Sequence, residues 1–189
     1  MNKTSDYLDY DKALNKGLSL LNDTKKCRIG FYIIFSINTG LRISDILKIR
    51  HQDLAENKIC LIEKKTKKQR VITLNDVVKR SYIKLASVLN ETNEKYNDDD
   101  FIFISQKGSV YRTQSINDVL KTIFNTKKLQ VSSHSLRKSF ARRVYQNLNE
   151  SENSLVLLSD IFSHSSIAIT RRYLGIRSET ISNVYLSLV

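Results

Sequence analysis

The chain contains no proline, and only five glycines, two cysteines and three histidines are spread over its 189 residues. Each shortage excludes something. Ordinary chains carry about 5% proline and about 7% glycine, so collagen-like, proline-rich and Gly/Ser-linker readings fall away, and so few breakers point to a helix-rich chain. Cys27 and Cys60 lie neither in a CxxC pair nor at ligand spacing from a histidine, which points to reduced thiols rather than a disulfide or a zinc site. The most apolar run, Ile29 to Ile37, is far short of the roughly 20 residues a membrane span needs. Met1 to Tyr10 has no basic stretch followed by an apolar one, so a soluble, unsecreted protein is expected.

What the chain has in plenty is positive charge and buriable surface. Its 31 Lys and Arg exceed its 19 Asp and Glu to give a net charge of +12, a field that attracts polyanions, nucleic acid first among them. With 41% apolar residues, nine tyrosines and seven phenylalanines, it has enough apolar matter for one good core or two small ones.

No internal repeat or linker interrupts the chain, and the one compositional break is an acidic surface loop from Glu91 to Asp100. Before it, Ser5 to Asn22 reads as an amphipathic helix and Thr24 to Asn38 as a buried one stopped at Gly40, with a short helix from Ile43 to Ile49. Lys58 to Glu63 and Arg70 to Leu74 read as strands of a hairpin with a basic tip, and Asn75 caps a helix to about Asn90. Phe101 to Ile104 is an apolar run suited to a strand or to plain buried chain, and Thr113 caps a helix to about Asn125. Helices follow at about Ser135 to Asn147, Ser154 to Phe162, Ser166 to Tyr173 and Ser178 to Leu188. The expected class is mainly α with a small antiparallel β-hairpin.

Four constellations carry chemistry. In Thr39-Gly40-Leu41-Arg42-Ile43-Ser44-Asp45, the glycine ends a helix, so that Arg42 projects from a tight junction with Asp45 three residues on to buttress it. A braced guanidinium suits bidentate phosphate binding, and a structural salt bridge is the plainer reading. The hairpin tip gathers Lys64, Lys65, Lys67, Lys68 and Arg70, either a solvated charge run or a device for bringing an ammonium to a phosphate. In His134-Ser135-Leu136-Arg137 the i, i+3 spacing sets an imidazole and a guanidinium on one face at a helix start, with Lys138, Arg142 and Arg143 behind. His164 precedes the helix that ends near Tyr173, with Arg171 and Arg172 beside it.

In this order, the segments TGLRISDILKIRHQDL, KKTKKQRVITL, HSLRKSFA and SHSSIAITRRYL resemble the arginine box, lysine hairpin, His-x-x-Arg box and terminal His and Tyr of the tyrosine recombinase (phage integrase) catalytic domain. The resemblance covers about Lys26 to Leu174. Carried over position by position, it implies Arg42, Lys65, His134, Arg137, His164 and Tyr173 as the active site, with Asp45 as an acidic supporting residue. Lys64, Lys67, Lys68, Arg70, Lys138, Arg142, Arg171 and Arg172 are the DNA-binding candidates. Lys65 fits the hairpin spacing best, and Lys67 or Lys64 takes its place after a small register slip. The family often has Leu-Gly where this chain has Phe162-Ser163, and proline where it has Thr73 and Ser133.

The resemblance further implies a metal- and ATP-independent enzyme without a cofactor, acting on double-stranded DNA as a tetramer in the synaptic complex, in the cytoplasm of a bacterium or encoded by a phage. Residues 1–189 are expected to form a single catalytic domain, with residues 176–189 a helical tail docking in cis or in trans. Members usually carry a separate helical DNA-binding domain in front, and about 25 residues precede Lys26 here, so the chain reads as a catalytic fragment or as a minimal recombinase. In the implied chemistry, Tyr173 attacks the scissile phosphate to form a 3′-phosphotyrosyl link, His134 serves as base and Lys65 as general acid. A non-catalytic DNA-binding factor on the same fold and a type IB topoisomerase are the competing readings.

Overall fold

The computed structural model describes residues 5–124, 129–176, 183 and 185–188. Two compact units divide the chain, Met1–Phe140 and Ala141–Val189.

The first unit is built on a helix buried on nearly every side. That helix, α2 (Cys27–Thr39), is the apolar run of the sequence, and Ile29, Phe31, Tyr32, Ile33, Ile34, Phe35 and Ile37 are all buried. Against it pack α1 (Tyr10–Leu21) and α4 (Asp76–Glu91). The α1–α2 crossing is close because two glycines meet there: a Cβ on Gly30 would lie 2.6 Å from the Gly17 carbonyl oxygen and 2.5 Å from the Leu21 nitrogen. Phe103 completes the core by stacking on Phe31, with ring centroids 5.9 Å apart. Its segment is buried chain rather than sheet, tied by isolated bridges of Phe101 with Arg50 and Ile104 with Val110. The buried Arg28 guanidinium anchors it by donating to the Ile102 carbonyl at 2.9 Å and pairing with Glu94, so one acid of the polar loop serves the core.

The start of the first helix and the end of the short helix after Gly40 differ from the sequence reading for tertiary reasons. The first helix begins at Tyr10, not Ser5, because Asp9 caps it by accepting from the Lys12 N–H. Ahead of it, Asp6 and Leu8 donate their N–H groups to the Gln130 carbonyl and the Ser139 hydroxyl, holding this segment out of the helix. The short helix α3 (Ile43–Ile46) stops before Ile49, whose carbonyl accepts from the Ile102 N–H while His51 donates to Asp100. The remaining elements of this unit are a 3₁₀ turn at Gln52–Leu54, the antiparallel strands β1 (Lys58–Ile62) and β2 (Gln69–Thr73), and α5 (Thr113–Phe124). The strands pair in register from Lys58–Thr73 to Ile62–Gln69, and Asn75 caps α4 through the Val78 N–H.

Helix α6 (Ser133–Asn147) starts two residues earlier than expected. The Ser133 N–H donates to the Asn117 side chain at 2.9 Å, a bond proline could not make at this position. In the second unit, α7 (Glu152–Phe162) and α8 (Ile167–Leu174) bury Leu155, Leu158, Phe162 and Leu174. The expected helix from Ser178 to Leu188 falls mostly outside the described residues. Among the described residues, no helix is long and apolar enough to cross a membrane.

Gly40, Ser163 and Gly175 each end a helix in the left-handed conformation. Gly40 closes α2 at φ 59°, and a Cβ there would lie 2.3 Å from the Phe140 ring. Ser163 closes α7 at φ 52°, a conformation that costs an L side chain about 1–2 kcal/mol. Gly40→Ala is therefore expected to destabilise the protein by about 2–4 kcal/mol, strain and overlap adding. Ser163→Gly is expected to stabilise it by about 0.5–1 kcal/mol after the entropy glycine adds to the unfolded chain. Urea unfolding midpoints of the two variants check both signs.

Candidate active site

The first unit assembles its cations around the end of α2. Gly40 turns the chain so that Leu41 is buried and Arg42 becomes the residue before α3, extended at φ −72° and ψ 145°. Arg137, on the first turns of α6 and buried, donates from Nη1 to the Gly40 carbonyl. One residue back, the Thr39 carbonyl accepts from Arg70 Nη2 at 3.2 Å. Three arginines distant in sequence thus gather at one helix terminus. The exposed carbonyls of a helix C-terminus favour cations, which lowers the cost of bringing like charges together.

Glu63 holds two of them. Its Oε2 accepts from Arg42 Nη1 at 2.8 Å and from the Thr66 hydroxyl at 2.7 Å, while Oε1 accepts from Arg70 Nη1 at 3.2 Å. The carboxylate is almost fully buried, with 1% of its side chain exposed against 16% and 15% for the two arginines. Burial alone would raise its pKa, but the Thr66 and arginine hydrogen bonds outweigh that and hold it below the ordinary carboxylate range. The sequence reading passes over Glu63, although strand alternation marks it: Ile59 and Leu61 face inward, so the next inward position is 63, and an acid there needs cationic partners.

Asp45 has a different task from the expected one. The carboxylate paired with Arg42 is that of Glu63, and buried Asp45 accepts the backbone N–H of Lys64 at 2.8 Å, fixing the base of the hairpin tip. The tip closes through Glu63 N–H to the Lys68 carbonyl and Lys67 N–H to the Glu63 carbonyl, with Lys67 left-handed at φ 59°. Lys64, Lys65, Lys67 and Lys68 stand exposed on it.

His134 lies at the surface, yet the protein crowds its ring. Its pKa falls below the ordinary 6.5 through that desolvation first, then through the positive charges of Arg137, Lys138, Arg42 and Lys65. The imidazole is therefore neutral at pH 7 and able to accept a proton. The same electrostatic coupling places Arg42, Lys65, His134 and Arg137 in one cationic neighbourhood.

In the second unit, three aromatic rings cluster. The His164 and Tyr173 rings meet edge to face at 5.7 Å, and Phe162 lies 5.4 Å from each. The His164 Nδ1 and the hydroxyl of buried Thr170 are 2.9 Å apart, a hydrogen bond that fixes the ring's orientation. Thr170 is the second residue the sequence reading misses, since its spacing of six from His164 matches no familiar pattern. Tyr173 is half-buried on the last turn of α8, just before Gly175 ends that helix in the left-handed conformation.

Several expected DNA-binding cations have partners within the chain. Arg70 is bound to Glu63 and Thr39, Lys138 donates to the Ser5 carbonyl at 2.8 Å, Arg142 reaches the Leu174 carbonyl at 3.4 Å, and Arg171 pairs with Glu152. Arg172 is exposed.

The chain is similar to known proteins. The phage integrase family profile matches residues 10–179. A probable integrase/recombinase of Bacillus subtilis, YoeC, is 32% identical over 170 residues, covering 88% of this chain and 86% of its own. The tyrosine recombinase XerC of Staphylococcus saprophyticus is 26% identical over 175 residues, covering 88% of this chain and 55% of its own, so the chain spans about half the length of that relative. The crystal structure of the XerH site-specific recombinase, bound to its difH substrate before cleavage, superposes with a TM-score of 0.68 at 24% identity, covering 97% of this chain and 54% of that one. That last likeness is one of fold. Because that profile covers most of the chain, from residue 10 to residue 179, the chain belongs to the phage integrase family.

Proposed function

We propose that this chain cuts and rejoins DNA at specific sites through a covalent 3′-phosphotyrosyl intermediate. The observation that carries the reading is the convergence of Arg42 and Arg137 on the Gly40 turn, with Lys65 and His134 in the same cationic field. Two guanidiniums can bind the nonbridging oxygens of a phosphodiester by charge-assisted hydrogen bonds and match the charge that grows in the transition state.

Tyr173 is the nucleophile. Its phenolic oxygen forms a bond to phosphorus as the bond from phosphorus to the 5′ oxygen breaks. The phenolic proton passes to a base, for which neutral His134 is suited, and the departing oxygen takes a proton from the Lys65 ammonium. His164, oriented by Thr170, donates to the phosphate. The phosphotyrosyl link conserves the bond energy, so a 5′-hydroxyl from a second strand reverses the step without ATP. The exposed lysines of the hairpin and Arg172 contact double-stranded DNA, and copies of the chain assemble on it, four to a synaptic complex. Residues 1–189 act as the catalytic domain.

Nicked suicide duplexes with randomised cores supply the test, because cleavage releases a short fragment and traps the adduct. Wild-type protein is expected to yield a denaturant-resistant adduct with a defined subset of the pool, and Tyr173→Phe to yield none while still retarding DNA in a gel. An adduct that survives Tyr173→Phe overturns the reading, and relaxation of arbitrary plasmid would point to a topoisomerase instead.

Arg42→Ala and Arg137→Ala are each expected to slow single-turnover cleavage by about 10²–10³-fold while DNA affinity falls less than about tenfold, since the contacts strengthen in the transition state. Equal losses in both would place the arginines in ground-state binding. The lowered pKa of His134 sets the sign of the pH dependence: the base is lost only as pH falls through a value below 6.5. Cleavage rates should therefore hold from pH 7 down to 6.5 and decline beneath it, and His134→Gln should remove that decline along with most of the rate.

A further inference from the structure

A buried carboxylate is an unexpected neighbour for groups meant to bind a phosphate. It offsets one positive charge, repels the ligand and carries a desolvation cost. An apolar residue would continue the inward face that Ile59 and Leu61 begin. What Glu63 supplies instead is connection: the three side chains that donate to it come from three separate stretches of chain, the α2–α3 junction at Arg42, the hairpin tip at Thr66 and the second strand at Arg70. Arg70 then passes the restraint back to the Thr39 carbonyl, three residues before Arg42, closing a ring of contacts through Thr39, Arg70, Glu63 and Arg42. Two arginines against one carboxylate leave the cluster net positive, so attraction for an anion survives.

We propose that Glu63 is a positioning residue that sets the Arg42 guanidinium and, through Thr66, the neighbouring Lys65 in the geometry the transition state needs. The role rests on the recombinase reading above. It touches neither phosphate nor nucleophile and acts through side chains that do. An unrestrained arginine would still find a phosphate in the ground state, but it would meet the transition state with the wrong edge or at the wrong depth. Displacements of about 1 Å cost catalysis about 10²-fold.

The signature is therefore a rate lost without loss of affinity, which a merely structural role would not give. With wild-type protein and its selected suicide duplex as reference, Glu63→Gln is expected to slow adduct formation about 10–100-fold while DNA affinity stays within about threefold or tightens. Glu63→Asp, which keeps the charge on a shorter stem, should recover part of the rate. Thr66→Val removes the hairpin hydroxyl that donates to Glu63 and accepts the Lys68 N–H, and should give a loss of about 3–10-fold with circular dichroism showing the fold intact, so it decides the matter should Glu63→Gln fail to fold. Glu63→Gln cleaving within about threefold of wild type, equal falls of rate and affinity, or an unaffected Thr66→Val beside an unfolded Glu63→Gln would overturn the positioning role and leave the recombinase reading intact. Absence of any wild-type adduct would overturn both.

Discussion

The first unit's site depends on one backbone turn. Gly40 ends α2 in the left-handed conformation, and the Phe140 ring occupies the space a side chain would need. The carbonyls of Thr39 and Gly40, left without helical partners, become acceptors for Arg70 and Arg137. The change of direction sends Arg42 toward Glu63 instead of along the helix. A residue with a side chain at position 40 would disturb all three arginines together, because they share this terminus as an anchor.

Charge in this chain divides by task. The net charge of +12 suggests a diffuse attraction for polyanions, but a good part of it is bound within the chain. Arg70, Lys138, Arg142 and Arg171 each have a carbonyl or carboxylate partner, and Arg28 ties the core to Glu94. The exposed hairpin lysines carry the attraction that solvent feels, and screening by salt will act on them far more than on the enclosed Arg42, Glu63 and Arg70 cluster. Long-range attraction thus falls to the exposed lysines, while the enclosed arginines are held by partners within the chain.

Much of the fold is legible in the sequence because its signals are local. The apolar run of α2, its stop at Gly40, the cap at Asn75 and the strand alternation around a basic tip each specify their own element, and the structure places them within a few residues of the expected bounds. What is not legible depends on distant partners. Asp6 and Leu8 leave the helix pattern to bond with Gln130 and Ser139, and Asp45 serves Lys64 while Glu63 takes Arg42. Sequence spacing identifies an acid near an arginine along the chain, but it cannot identify one across a hairpin. Ser163 adds a converse case, a left-handed position where the family's glycine would be the cheaper residue.

In the proposed reaction Tyr173 becomes joined to DNA. The direct measurement is mass spectrometry of a trypsin- and nuclease-treated adduct, since cleavage after Arg172 and Arg177 isolates Tyr173 in a peptide of its own. A nucleotide mass is expected on the Tyr173–Arg177 peptide, linked through a phosphotyrosyl bond to a 3′ end. The mark on another tyrosine, or a link to a 5′ end, would contradict it.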